Sequence, residues 1–155
     1  MNIFVVSDEV FACADALDDK RLNKMVLETA QILSSAVIRY GGETLYRVTH
    51  SSHPCVLWAG DTRSNYVWTV NLFRALHLEY FSRNNKSHKS FEDTFLDLSS
   101  KRSVIPEGAL TPFVNCSLFK ENPDVYEAYK LTLKDKWSKD NPAPKWTNRN
   151  SPIWR

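Results

Sequence analysis

The sequence lacks several features that would assign it to a particular class of protein. It holds three scattered cysteines, Cys13, Cys55 and Cys116, and no CxxC pair. This predicts free thiols in a reducing cytoplasm and not a disulfide framework. No apolar run approaches the ~18 residues that a transmembrane helix requires. The first nine residues lack the basic region of a secretory signal, so we expect them to belong to the mature fold. Together these absences predict a cytoplasmic protein with no membrane partner.

Common catalytic motifs are also missing. No GxSxG, P-loop or GxGxxG sequence occurs, which argues against the usual hydrolase, NTPase and dinucleotide chemistries. No HExxH motif or Cys/His quartet occurs either, and only His50 and His53 are spaced as a possible ligand pair. The sequence therefore predicts no metal and no cofactor.

The composition is that of a globular domain with an uneven distribution of charge. The 155 residues are 43% hydrophobic and 25% charged, which fits one domain over residues 1–155. Residues 1–129 hold 13 Lys/Arg against 16 Asp/Glu, whereas residues 130–155 hold 7 against 2 and three of the five tryptophans. A basic, aromatic tail suits nucleic acid, because cations bind phosphate and rings stack on bases. Packing of the tail over a helical core explains the same pattern, and both interpretations stay open.

Apolar periodicity and caps predict a mostly α, single compact helical domain with a short N-terminal arm and an extended aromatic C-terminal tail. A short helix is expected from a Ser7-Asp8 cap to about Leu17, and an amphipathic helix from about residue 19 to Gly41. Segment 43–57 is read as extended chain and loop. Further helices are expected from Asp61 or Thr62, over 88–98, and from Asn122-Pro123-Asp124 to about Lys139, with an ordered loop over 99–122.

The amphipathic helix carries the first constellation with chemical potential. Asp18 and Asp19 stand at its start, and Arg21, Lys24 and Glu28 share one face a turn apart. A carboxylate among cations suits a general base beside a DNA backbone. Favourable helix-dipole contacts and an ordinary Lys24–Glu28 pair explain the same residues.

Two later segments are rich in hydrogen-bonding and aromatic side chains. His53-Pro54 and Trp58 are followed by a helix start, which attracts anions such as phosphate and carries Arg63, Asn65, Tyr66 and Trp68. The alternative is a corner of caps and packed tryptophans. The basic turn 83–90, which includes Lys89, is either a solvated face or a phosphate contact.

A set of short stretches spread over nearly the whole chain carries a resemblance: residues 19–31, His53-Pro54, Trp58, residues 64–68, Glu79-Tyr80, residues 88–90, Trp146, Arg149, Pro152 and Trp154. In these stretches the sequence resembles a group of small bacteriophage proteins. Some of those proteins look like distant relatives of the pyrimidine-dimer DNA glycosylase (endonuclease V) family. The likeness to the glycosylases lies in the order of parts: a short arm, an acidic and basic helix, a His-Pro corner, a long helix and an aromatic basic tail.

The resemblance implies an all-α fold, DNA as the partner and an α-amine nucleophile at the chain start. In that family the amine attacks the sugar C1′ beside a damaged base, a Schiff base forms with help from a glutamate, and elimination then cuts the strand. Two departures are visible. Asn2 is bulky enough to retain the initiator methionine, which would assign the amine to Met1. Leu22 stands directly after the arginine, where an acid would be needed, leaving Asp18, Asp19 or Glu28 as substitutes.

The leading hypothesis is a DNA-directed phage protein, a base-excision glycosylase/lyase-like or base-modifying enzyme in the cytoplasm of an infected cell. Trp58, Tyr66, Trp68 and Trp146 are candidates for holding a base flipped out of the duplex. The alternatives are a non-catalytic nucleic-acid-binding or host-inhibiting phage protein, or a nucleotide-directed enzyme around His50, His53 and Arg63. The expected catalytic residues are Asp19, Glu28 and His53, and the expected nucleic-acid contacts are Arg21, Lys24, Arg63, Asn65, Tyr66, Lys89, Trp146 and Arg149.

Overall fold

The structure, a computed structural model, describes all residues from 1 to 155. It consists of helices joined by ordered loops and contains no β-strand, so the prediction of a mostly α fold is confirmed. A core of 32 buried apolar residues extends along the chain from Ile3 to Trp137. The helices are α1 (Val10–Ala16), α2 (Asp19–Arg39), α3 (Pro54–Asp61), α4 (Arg63–Asn84), α5 (Lys89–Ser100) and α6 (Val125–Lys139), with a 3₁₀-helix at Lys101–Val104.

The N-terminal arm is extended and buried. Its four apolar residues, Ile3 to Val6, are at most 7% exposed. Helix α1 begins at Val10, later than the Ser7-Asp8 cap predicts, and its N-cap residue Glu9 makes no side-chain cap bond. Ser7 instead accepts a hydrogen bond from the Glu9 amide at 3.1 Å. The hydroxyl thus caps a turn just before the helix.

Helix α2 follows its sequence signals closely. Asp18 accepts from the Arg21 amide as the N-cap, and the helix ends before Gly41, whose φ of +79° is readily adopted only by glycine. The helix packs against α3, α4 and α5. Its buried apolar face includes Leu22, Met25, Val26, Ile32, Leu33, Ala36 and Val37.

Helix α3 is the element that the sequence did not predict. It has only eight residues, too few for a periodic apolar pattern to appear, and it lies where extended chain and loop were expected. His53 is its N-cap, accepting the Cys55 amide at Nδ1, and Pro54 takes the first helical position. Thr62 then caps α4, one of its two predicted cap positions.

The second half of the chain wraps over these helices. Helix α5 starts after His88, which accepts the Ser90 amide, and α6 starts after Asp124, which accepts two amides. After α6, residues 140–155 form no helix and lie against the core through Trp146 and Trp154. No helix combines the length and apolar character needed to cross a membrane.

Candidate active site

A cavity of about 300 Å³ lies between the N-terminal arm, α2 and α6. It contains the amino terminus of the chain and one carboxylate, surrounded by cationic side chains. The lining residues are Met1, Asn2, Phe4, Lys20, Arg21, Lys24, Met25, Glu28 and Lys136. This is the place where the structure joins an amine, an acid and several cations.

Asn2 holds the amino terminus at the cavity. Its side-chain oxygen accepts the amides of Ile3 at 2.7 Å and Phe4 at 3.0 Å, and its Nδ2 donates to the carbonyl of Cys116 at 3.3 Å. The side chain of Met1 is only 3% exposed, although the residue as a whole is half-buried. The part of Met1 that reaches solvent is therefore its main chain.

Glu28 faces the amine. Its Oε2 lies 3.8 Å from the nitrogen of Met1 and its Oε1 lies 3.4 Å from Nζ of Lys24. The carboxylate side chain is 12% exposed. Arg21, Lys24 and Glu28 share one face of α2, as their spacing predicts, and this face forms one wall of the cavity.

The buried carboxylate of Asp18 joins α2 to α6. Besides capping α2, it accepts Nη1 of Arg21 at 3.0 Å and the indole Nε1 of Trp137 at 2.7 Å. Arg21 also donates to Asp140 at 2.6 Å, and this hydrogen bond lowers the pKa of Asp140. These bonds bring Lys136, a residue not singled out from the sequence, to the cavity beside α2. Its only sequence signal is its place in the basic C-terminal segment.

Asp19 lies outside the cavity and anchors the C-terminal segment. It accepts the amide and hydroxyl of Thr147 and Nη1 of Arg83. Burial would raise the pKa of Asp19, but these hydrogen bonds outweigh burial and hold it below its ordinary value. Its contacts are those of a structural carboxylate.

Arg149 is held by carboxylates of the fold. Its Nε and Nη2 both donate to Glu79, and Nη2 lies 3.1 Å from Asp15. Trp146 lies nearby, with its Nε1 donating to the carbonyl of Ala16. In this structure these two residues attach the tail to the core, as the packing interpretation of the tail expects.

The tryptophans do not line the cavity. Trp58 and Trp68 meet edge to face at a centroid distance of 5.7 Å, and both are at most 9% exposed. Trp137 contacts Trp146 edge to face and stacks against Trp154. The apolar lining of the cavity comes instead from Met1, Phe4 and Met25.

Most of the remaining expected DNA contacts have partners in the fold. Arg63 donates to carbonyls of the 102–105 segment and pairs with Glu107, Asn65 holds the carbonyl of Trp58, and Tyr66 donates to the carbonyl of Leu98. Lys89 is exposed and pairs with Asp93 at 3.0 Å. None of these residues lines the cavity at Met1.

A larger depression of about 750 Å³ lies at the start of α4. It is open to solvent and its lining includes Arg63, Trp68 and Glu107, but neither His50 nor His53. The side chain of Arg63 is bound to Glu107 and to main-chain carbonyls, so it is not free at this depression. The smaller cavity, by contrast, combines the amino terminus with a carboxylate.

His53 lies close to the cavity but belongs to a different cluster. Burial lowers the pKa of His53, and the positive amino terminus lowers it further. One ring nitrogen of His53 and the sulfurs of Cys55 and Cys116 lie within 4.8 Å of one another. The Cys55 thiol donates to Cys116 at 3.3 Å, which lowers the pKa of Cys116 to about 7 and raises that of Cys55. Cys55 and Cys116 are 61 positions apart in the chain, so sequence spacing gave no sign of this cluster.

Comparison with known proteins places these features in a family. Neither a search of curated proteins nor one of solved structures finds a match to the chain. The sequence model described as pyrimidine dimer DNA glycosylase matches residues 1–93, more than half of the chain. The matched part includes Met1, Asn2 and Glu28, and ends within α5. The chain therefore belongs to the pyrimidine dimer DNA glycosylase family.

Proposed function

We propose that this protein is a DNA glycosylase with lyase activity, whose nucleophile is the α-amine of Met1. The observation that carries the proposal is the position of this amine, 3.8 Å from the Glu28 carboxylate in a cavity bordered by four Lys and Arg side chains. Membership of a family named for DNA with pyrimidine dimers supplies the substrate class.

An amine and a carboxylate at this separation suit imine chemistry at a sugar carbon. The amine nitrogen bonds to C1′ as the bond from C1′ to the base breaks, and the base leaves with a proton. Opening of the sugar ring then gives an imine between the nitrogen and C1′. A carboxylate beside the amine takes and returns protons during these steps. Loss of a proton from C2′ and departure of the 3′ phosphate cut the strand.

Glu28 is the acid/base group in this proposal. Of the three catalytic candidates, Asp19, Glu28 and His53, it is the one that lines the cavity. Asp19 is bound to Thr147 and Arg83, and the ring of His53 caps α3. Neither residue lines the cavity, and we assign both to holding the fold.

We infer that lysines at the cavity hold the DNA backbone. Lys20 and Lys24 are 77% and 69% exposed, and each forms one ion pair, with Asp140 at 3.6 Å and with Glu28 at 3.4 Å. An ammonium group has three N–H donors, so each lysine keeps donors for a phosphate. Lys136 adds a third lysine from α6. Arg21, by contrast, is 12% exposed and donates to Asp18 and Asp140. We assign the phosphate contacts to the three lysines and a supporting role to Arg21.

The test is borohydride trapping on duplex DNA that carries one pyrimidine photodimer. Borohydride delivers hydride to the imine carbon and converts the imine to a stable amine, so wild-type protein should become covalently attached to DNA. Mass spectrometry of the digested adduct should place the attachment on Met1. Intact mass of the starting protein establishes that Met1 is present.

Two variants separate chemistry from binding. Glu28→Gln keeps the shape of the side chain but removes its proton transfer, and should slow cleavage of the bond between C1′ and the base about 10²–10⁴-fold. A Gly-Ser extension before Met1 moves the amine and should abolish trapping while leaving DNA affinity largely intact. The control is Glu9→Gln, an exposed glutamate with no side-chain ion pair. DNA binding by wild type without product or adduct, on photodimer and abasic duplexes alike, would contradict the proposed chemistry.

A further inference from the structure

The cluster of His53, Cys55 and Cys116 lies at the start of α3. The mechanism proposed above does not use it. Cys55 is buried in the first turn of α3, whereas His53 and Cys116 are half-buried. The loop that carries Cys116 also receives the hydrogen bond from Asn2. Two thiols and an imidazole thus meet at the junction of α3, the loop after α5 and the arm.

The two sulfurs lie close enough to share one metal ion. Two thiolates on one tetrahedral zinc ion, with Zn–S bonds of about 2.3 Å, lie about 3.8 Å apart. The Cys55 and Cys116 sulfurs, which are not bonded to each other, lie 3.3 Å apart. A small opening of the pair suffices to admit the ion.

The ring of His53 has an unprotonated nitrogen at the start of α3. Nδ1 of His53 accepts the Cys55 amide at 3.1 Å, so this nitrogen carries a lone pair and the proton of the neutral ring is on Nε2. The lone pair points toward the first turn of α3, where Cys55 lies. A metal bound through Nδ1 would use this lone pair, and the hydrogen bond from the Cys55 amide would be lost.

We propose that His53, Cys55 and Cys116 form a binding site for one Zn²⁺ ion in the reduced protein. Both thiols release their protons to solvent as the two Zn–S bonds form, and no electron transfer takes place. The set supplies three ligands, and water reaching the half-buried side of the cluster completes the tetrahedron. The ion joins α3 to the Cys116 loop and so fixes the loop that holds Asn2.

The experiment measures zinc in the full-length protein without DNA, so its result is independent of the glycosylase proposal. Protein kept reduced and stripped by a chelator is dialysed against Zn²⁺, freed of excess metal and analysed by mass spectrometry of its metal content. One zinc ion per chain is expected. Replacement by Co²⁺ should give the near-ultraviolet absorption of thiolate-to-cobalt charge transfer.

Variants identify the ligands. Cys116→Ser and His53→Asn should lose the zinc, and asparagine keeps an oxygen able to cap α3. Cys13→Ser is the control, because Cys13 lies on α1 and donates to the carbonyl of Ser7, and it should keep one zinc ion per chain. Circular dichroism establishes that each variant is folded. Absence of zinc in the reduced wild type, zinc retained by folded Cys116→Ser, or a Cys55–Cys116 disulfide formed without metal uptake would each overturn the proposal.

Discussion

Replacing Glu79 by glutamine tests the ion cluster that holds the C-terminal segment on α4. Glu79 accepts Nε of Arg83 at 2.7 Å and both Nε and Nη2 of Arg149. The side chains of Glu79 and Arg83 are 8% and 1% exposed. Removing the carboxylate charge of Glu79 therefore leaves the buried guanidinium of Arg83 with one negative partner fewer.

The expected loss follows from the partners that remain. Removing one partner of a buried ion pair costs about 3–5 kcal/mol. Glutamine keeps an acceptor oxygen, and Arg83 keeps the carbonyl of Leu17 and the carboxylate of Asp19. Because these partners remain, we expect Glu79→Gln to lower the free energy of unfolding by about 2–3 kcal/mol, somewhat less than that range. For a chain of this length the melting temperature should fall by about 5–10 °C.

The pH dependence gives the prediction a second readout. Burial would raise the pKa of Glu79, but the hydrogen bonds from Arg149 and Arg83 outweigh burial and hold it below its ordinary value. A carboxylate with a lowered pKa in the folded state stabilises the protein above its ordinary pKa of about 4.3, and this stability is lost as the pH falls through the folded-state pKa. The gap between wild type and Glu79→Gln should thus be constant near neutral pH and narrow in acid.

Thermal unfolding followed by circular dichroism from neutral to acidic pH measures both quantities. Glu121→Gln is the matched control, since Glu121 is exposed and forms no ion pair, and its melting temperature should stay near that of wild type. Equal melting temperatures for Glu79→Gln and wild type at neutral pH, or a gap that does not narrow in acid, would refute the reasoning.

Three further predictions concern the cavity and its supports. Asp18→Ala removes the α2 cap and leaves the indole N–H of Trp137 unpaired, so chemical denaturation should show a free energy of unfolding lower by about 2–4 kcal/mol. A loss no larger than that caused by an alanine substitution at an exposed site would contradict this. Tyr66→Phe removes one of the two donors to the carbonyl of Leu98, which keeps its hydrogen bond from the amide of Lys101, and should cost about 0.5–1.5 kcal/mol in the same assay, with DNA affinity unchanged. Lys136→Ala should reduce the slope of log K against log salt for duplex DNA by about 0.9, whereas Lys134→Ala, exposed on the same helix but outside the cavity, should not.

The sequence predicted the helices whose signals are local. The caps Asp18, Thr62 and His88 lie at or beside predicted helix starts, and Gly41 follows the end of α2. The one missed helix, α3, is short and has no periodic apolar face, so its formation depends on packing against α2 and α4.

The same limit explains which parts of the site could be foreseen. Arg21, Lys24 and Glu28 share a face of one helix, so their spacing alone places them together. The partner of Arg149 is Glu79, 70 residues earlier, and no local pattern indicates that the two meet. A phosphate contact and a structural arginine have the same appearance in sequence, and only the fold distinguishes them.

Two parts of the chain form the cavity at Met1: one lies inside the stretch that the family model matches, and the other lies outside it. The amine and Glu28 lie within residues 1–93, which the family shares, whereas Lys136 comes from α6, beyond the matched part. In the proposed function, a substitution of Lys136 would therefore weaken the hold on the DNA backbone while leaving the proposed nucleophile and acid/base group in place.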